Sequence, residues 1–359
     1  MKPGFILLPF LQLGCFCTFW YIGEKGRPMA QIVVRDLTKV FKVAHRKAGV
    51  WQAIKGLVKR EYNPVRALDG VSFEVGRGEL VGYLGPNGAG KSTTVKILSG
   101  ILVPDSGLCK IINRIPWQER AAHVQDIGVV FGQRSQLWWD LPVMDSFELL
   151  RDIYRLGPVD FNDTLEELVE TLNLSAFLGV PVRQLSLGQR MRCELTASLL
   201  HRPKLLFLDE PTIGLDAVSK LVVRDFIKRL NKEHGTTILL TTHDMDDVEA
   251  LCHRVMIIGR GQILMEGKLK DIRQRFARER RFIVELGNRY VEEEVKGRIS
   301  KAELIYLEGN QAHFNFDPTI VTPAELLHEL SAEFEVRDVL IENPPIDEVI
   351  ARLYEELAI

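Results

Sequence analysis

The nine residues Gly85-Pro86-Asn87-Gly88-Ala89-Gly90-Lys91-Ser92-Thr93 constrain this chain more than any other stretch, because they fill every fixed position of the pattern G-x-x-x-x-G-K-[ST]. The apolar run Leu80-Val81-Gly82-Tyr83-Leu84 ahead of them reads as a buried strand, and residues 91–98 behind them read as a helix. Strand, glycine-rich turn and helix in that order make a cradle for a nucleoside triphosphate. The glycines let the backbone close around phosphates, N–H groups and the positive helix end face the anion, and Lys91 brings a point charge to the β- and γ-phosphates. Ser92 is then the expected Mg²⁺ ligand. The plainer alternative, a glycine turn that serves only structure, fits the flanking strand and helix less well.

A second constellation narrows the chemistry. Leu205-Leu206-Phe207-Leu208 runs straight into Asp209-Glu210, a buried strand ending in two carboxylates. Position separates their expected roles: Asp209 sits beside the metal and holds it through water, and Glu210 points at the γ-phosphate and polarises the attacking water as a general base. Taken alone the pair could be an acidic loop after a strand. Its continuation, Pro211-Thr212-Ile213-Gly214-Leu215-Asp216, is what gives it weight.

With these stretches the chain resembles the nucleotide-binding subunit of an ATP-binding cassette (ABC) transporter, and six family motifs follow in family order. They are the Walker A loop 85–93, the Q-loop glutamine Gln133, the signature Leu185-Ser186-Leu187-Gly188-Gln189, the Walker B strand 205–210, the D-loop Gly214-Leu215-Asp216 and the switch histidine His243. Phe41 corresponds to the aromatic residue that stacks on adenine. The resemblance implies an α/β fold: a P-loop NTPase cassette with a mixed-sheet core and a helical subdomain, followed here by a small C-terminal α+β accessory domain.

It also implies a mechanism. Two cassettes pair head to tail, so that Ser186 and Gly188 of one chain cap the γ-phosphate held by Lys91 of the other, and Gln189 and Asp216 are expected among the nucleotide-binding residues. Ser186 offers a hydroxyl and Gly188 a backbone N–H at the start of the helix expected over 189–200. His243 is expected to bond the γ-phosphate and the attacking water, and Gln133 to sense metal and water and transmit the state to a partner. ATP and Mg²⁺ are the implied cofactors; a second cassette and multi-span permease subunits are the implied partners, at the cytoplasmic face of a membrane. One residue departs from the family: Leu187 stands where glycine is usual. Leucine does not readily take a positive φ, so an ordinary backbone is expected there, with hydrolysis retained.

Composition agrees without deciding. The chain has 359 residues, enough for two cores, and its 46% hydrophobic and 26% charged residues suit a globular protein. A net charge of −2 gives no electrostatic case for nucleic acid. Five scattered cysteines show neither zinc spacing nor a disulfide framework, and Cys193 and Cys252 are expected to pack in helices.

Residues 5–22 are uncharged and nearly all apolar, long enough to span a membrane, yet Met29 directly precedes the first strand, 32–34. A start at Met29 is the favoured reading of segment 1–28; an anchor or signal-like segment is the other. The cassette is expected over 29–267. Within it, stretch 42–66 carries Lys42, Arg46, Lys47, Lys55, Lys59, Arg60 and Arg66 against Glu61, either as a surface for anionic headgroups or a partner loop, or as a solvated decoration. The helical subdomain falls at about 134–190, and Trp138-Trp139 either face the permease or tuck into that subdomain. A charged linker, 268–281, leads to the accessory domain, 282–359, with strands expected near 282–286, 303–307, 312–316 and 336–341, and helices near 323–334 and 346–357. The accessory domain resembles that of the bacterial drug and polyketide exporters, which points to export. The competing class is a soluble ABC ATPase working in cofactor assembly or another non-transport process.

Overall fold

Five short strands with continuous buried runs build the centre of the molecule. The computed structural model describes residues 30–44, 62–132, 134–276, 279–344 and 346–356. Segment 1–28, the middle of the basic stretch 42–66, Gln133 and Pro345 lie outside the described residues. The central sheet runs in the order β5 (Ile127–Phe131), β6 (Leu205–Asp209), β7 (Thr237–Thr242), β3 (Leu80–Leu84), β8 (Arg254–Gly259) and β9 (Gln262–Lys268). All pairs are parallel except β8 with β9, which form a hairpin through Arg260-Gly261, both at positive φ as a tight two-residue turn requires.

The strands are apolar on both sides because both faces are covered. Leu205, Phe207, Leu239, Met256 and Ile258 point into one core, and Leu206, Leu208, Leu240, Val255 and Ile257 into the other. The first core lies under an antiparallel sheet of β2 (Tyr62–Gly76), β1 (Ala30–Ala44) and β4 (Ser106–Ile111) and takes in Val95, Ile97 and Leu98 of α1 (Lys91–Leu98). The helix α2 (Arg120–Asp126) leads into β5. The second core is covered by α6 (Ala217–His234), α7 (Met245–Leu251) and a helical group made of α3 (Val143–Tyr154), α4 (Pro158–Thr171) and α5 (Leu187–Leu199). Phe161, Leu165 and Leu168 of α4 recur at helical spacing and turn inward together, after a start made by Gly157 and Pro158.

Beyond α8 (Leu269–Phe276) a third core forms in a four-stranded antiparallel sheet ordered β11 (Glu303–Glu308), β12 (Gln311–Phe316), β10 (Arg280–Leu286), β13 (Val336–Glu342). Phe282, Val284, Phe314 and Phe316 pack there against Leu326 and Leu330 of α10 (Pro323–Glu333), with the short α9 (Glu292–Val295) at one side. The last helix, α11 (Ile346–Glu356), does not join that core. Its Ile346, Val349, Ile350 and Leu353 are buried with Leu251, Cys252 and Val255 of the cassette and Ile272 of α8, and the Tyr354 hydroxyl donates to Ile258 O at 3.4 Å. Among the described residues no helix is long and apolar enough to cross a membrane.

Candidate active site

In a parallel sheet the loops at the carboxyl ends of the strands form the crevice where ligands bind. Here β3 runs into the glycine-rich loop, β6 ends at Asp209 and β7 delivers His243. Gly90 caps α1 at φ +112°, and a Cβ there would press on Ala67 O, so no other residue fits the turn. Lys91 follows, 5% exposed, its Nζ donating to Gly85 O at 2.6 Å and Pro86 O at 3.3 Å and lying 3.7 Å from Glu210 Oε1. Burial lowers the Lys91 pKa; the carboxylates of Glu210 and Asp209 oppose that shift without reversing it.

Asp209 accepts from Ser92 Oγ at 3.2 Å and from Thr241 Oγ1 at 2.5 Å, both on Oδ1. Glu210, the next residue, turns back at φ +54°, rare for a residue with a side chain, and is held there by its N–H bond to Thr241 O at 2.9 Å. A backbone in that region costs on the order of 1–3 kcal/mol and persists where the surroundings enforce it. The strained turn carries the Glu210 carboxylate out between Lys91 and His243, whose Nδ1 is 3.1 Å from Oε1. The arrangement can hold an anion at Lys91, take a proton at Glu210 and orient that carboxylate through His243.

The donors near Asp209 suit Mg²⁺, a hard cation that prefers oxygen and keeps waters and phosphate oxygens in its shell. Ser92 Oγ and Asp209 Oδ1 supply a hydroxyl and a carboxylate side by side. Among the described residues no cluster of three or more His, Cys, Asp or Glu is disposed to hold a metal unaided, so substrate oxygens would complete the shell.

The signature residues form a separate group. Ser186 caps α5: its Oγ accepts from Gln189 N at 3.2 Å while Gln189 Oε1 accepts from Ser186 N at 2.9 Å. Leu187 is the first helical residue, with ordinary backbone, as its branched side chain leads one to expect. The helix begins two residues before the expected 189, because the capping box starts it at Ser186. Gly188 packs so closely on Ser219 that a Cβ would collide with its hydroxyl. Asp216 caps α6 by accepting from Ser219 N at 2.9 Å and Ser219 Oγ at 2.7 Å, which holds its carboxyl below the usual range. Among the described residues no hydrogen bond or ion pair joins 186–189 to the loop 85–93.

Phe41 is 37% exposed, opposite Val65 in the β1–β2 pair, two residues beyond Lys39, whose partner Leu68 lies against Gly90. Its ring centre lies 5.8 Å from the Lys39 ammonium, which donates to Val103 O at 2.9 Å. Trp138 and Trp139 are both exposed, with the Arg190 guanidinium 5.7 Å from the centre of the Trp139 ring. Cys193 is buried in α5; Cys252, expected in a helix, sits one residue past α7.

Three further buried groups hold the site's surroundings together and escape sequence reading. Thr241 orients both Asp209 and Glu210, yet a threonine ending a strand is unremarkable in sequence. Glu194, 3% exposed on α5, bonds Ser135 Oγ and accepts from Gln136 N at 3.1 Å, so the signature helix grips the chain just past Gln133. Its signal is an acid within Cys193-Glu194-Leu195-Thr196-Ala197, otherwise suited to burial. Asp247, fully buried on α7, bonds Thr212 Oγ1 and accepts from Arg224 Nε at 2.5 Å, tying the helix after His243 to α6 and to the loop after Glu210.

Comparison with known proteins agrees with this geometry. Residues 68–213 match the ABC transporter family. The linearmycin resistance ATP-binding protein LnrL of Bacillus subtilis is 32% identical over 78% of this chain and 83% of its own length. The daunorubicin resistance ATP-binding protein DrrA3 of Streptomyces coeruleorubidus is 37% identical over 61% of this chain and 69% of its own. A solved dimeric ATP-binding cassette in a post-hydrolysis state, bound to ADP and Pi, superposes with a TM-score of 0.56 and 26% identity, covering 66% of this chain and 98% of that one. A phosphate loop, a strained glutamate and a histidine at one end of the central sheet, together with a likeness that spans most of LnrL, make this chain a member of the ATP-binding proteins of the ABC transporter family, and an ATPase.

Proposed function

We propose that the chain powers export through separate membrane-spanning subunits and does so as a nucleotide-sandwich dimer at their cytoplasmic face. The observation that carries this is the division of the site: Lys91, Ser92, Asp209, Glu210 and His243 gather at one place, and Ser186, Gly188 and Asp216 at another. One chain offers two half-sites of complementary chemistry. A second copy or a related cassette, turned head to tail, brings the helix start at Ser186 against the phosphates held by Lys91.

In that assembly Lys91 leaves the loop carbonyls for the β- and γ-phosphates, and Phe41 stacks on adenine. Ser92, Asp209 and Gln133 would hold Mg²⁺, which when bound neutralises phosphate charge. Glu210 takes a proton from water as the water oxygen attacks the γ-phosphorus and the bond to the ADP oxygen breaks; His243 keeps the carboxylate aimed and contacts the γ-phosphate. Ser186 Oγ, which accepts from Gln189 N, keeps its own proton free to donate to the γ-phosphate across the dimer. Gly188 and Gln189 complete the cap.

The names of LnrL and DrrA3, both resistance ATP-binding proteins, support export as the direction. Exposed Trp138 and Trp139, next to the segment held by Glu194, suit docking of a permease loop. We assign 29–267 to the cassette and 282–359 to the accessory module, with α11 as its tether to the cassette. The test is recovery of the Glu210→Gln protein with ATP from detergent-solubilised native membranes, with mass spectrometry of what accompanies it. A multi-span permease is expected; a soluble dimer free of membrane protein overturns the transport reading.

A further inference from the structure

A cavity of about 620 Å³ opens at the pole of the cassette opposite the nucleotide site, within the size range of small-molecule sites. Its apolar lining includes Leu168 of α4, Leu199 of α5, and Phe226 and Leu230 of α6. The charged lining divides by partner. Arg202 and His234 both engage Glu167, at 3.6 and 3.5 Å, and Lys204 engages Asp126 at 2.8 Å. Arg77 and Arg229 make no ion pair or side-chain hydrogen bond with any described residue, and the lining carboxylate Glu233 has no basic partner either. Two free guanidinium groups against one free carboxylate leave an excess of one positive charge beside an apolar surface.

We propose that this cavity binds a small amphipathic carboxylate, with its apolar body against Leu168, Phe226 and Leu230 and its single negative charge at Arg77 and Arg229. Guanidinium groups bind carboxylates through paired, charge-assisted hydrogen bonds, and an apolar body supplies the affinity that the charge lacks in water. The placement joins the ligand to the active site through rigid elements. α5 begins at the signature and ends at Leu199, α6 begins just after Asp216 and ends at His234, and β6 and β7 begin beside Lys204 and Thr236 and end at Asp209 and at Thr242, next to His243. Both helices and both strands thus have one end in the cavity wall and the other in the nucleotide machinery.

Calorimetric titration of the full chain with decanoate, 1-decanol and acetate, each below any micellar range, tests the assignment. Decanoate should bind one to one, and decanol and acetate at least about 10-fold more weakly, since each lacks one half of the required chemistry. Arg77→Gln with Arg229→Gln, both at exposed positions, should weaken decanoate about 10-fold. Thr171→Trp, which fills the cavity from α4, should abolish its binding while ATP binding persists as proof of folding. Equal binding of decanol, no binding of decanoate, or unchanged decanoate binding in either variant overturns the proposal.

Discussion

The nucleotide end of the cassette and the C-terminal sheet are built from the same amino acids under opposite rules. At the nucleotide end, charge and strain are buried together: Lys91, Asp209, Glu194 and Asp247 lie inside, and Glu210 holds a positive φ. In the sheet of β10 to β13 the core is Phe282, Val284, Phe314, Phe316, Leu326 and Leu330, the described positive-φ residues are the turn glycines Gly297 and Gly309, and the one buried polar side chain is His313. Regular strands satisfy their backbone cheaply and need no strain. A site that presents a carboxylate to a phosphate is not built that way, and at Glu210 the departure from ideal backbone geometry falls where the chemistry is.

The comparison breaks first on catalysis. Glu210→Gln, which keeps shape and removes the base, should lower ATP turnover about 10²–10⁴-fold in a steady-state phosphate-release assay. Leu340→Ser, on the exposed side of β13, should leave turnover within about 2-fold, because surface changes remote from such features alter little. A large loss from Leu340→Ser would erase the division between the two regions.

Stability should divide along the cores rather than along the order of the chain. Leu353 is fully buried in the cassette core, so Leu353→Ala should destabilise by roughly 2–5 kcal/mol and lower the unfolding transition of the cassette. Phe314→Ala should act on the C-terminal sheet instead. Hydrogen exchange resolved along the sequence distinguishes the two, and loss of protection in β10 to β13 from Leu353→Ala would contradict the assignment of α11.

Glu194 sharpens the same contrast by about 1–3 kcal/mol, the net worth of the two hydrogen bonds from Ser135 Oγ and Gln136 N that Glu194→Ala removes. Burial pushes its carboxyl above the ordinary 4.5, against the bonds from Ser135 and Gln136 that pull it down. The folded protein therefore holds this proton more tightly than the unfolded chain. The associated stability is full below pH 4.5 and is lost as pH rises through the raised folded value. Glu194→Gln, fixed neutral, should lose less stability than wild type between pH 4.5 and 7 in denaturant titrations; parallel curves would contradict this.

The smallest effect concerns Leu187, whose Cδ2 would lie 3.0 Å from a Cβ placed on Gly214. Gly214→Ala should cost about 1 kcal/mol, from its positive φ and this contact. Adding Leu187→Gly should relieve the contact part alone, as a double-mutant cycle would show; strict additivity would mean the two residues do not touch in solution.

Most of the cassette was legible because its signals are local. A strand that feeds a glycine-rich turn and a helix is specified by neighbours in sequence, and β3, α1 and β6 fall where the pattern put them. The strands of the C-terminal sheet were equally plain from alternation. What stayed hidden depends on partners far apart in the chain. Glu194 meets Ser135 across 59 residues, Asp247 meets Thr212 across 35, and no periodicity encodes either pairing. The same holds for α11: its apolar stripe announces an amphipathic helix, but a stripe does not say which of two cores it will cover.

Light scattering of the Glu210→Gln protein with and without Mg-ATP, beside Glu210→Gln with Ser186→Asp, tests the division into half-sites most directly. Aspartate preserves the cap of α5 and sets a negative charge where the phosphate is to be bound. The account predicts an ATP-dependent dimer for the first protein and an ATP-bound monomer for the second. Equal dimerisation of both, or ATP binding by Glu210→Gln with no dimer at all, would contradict it.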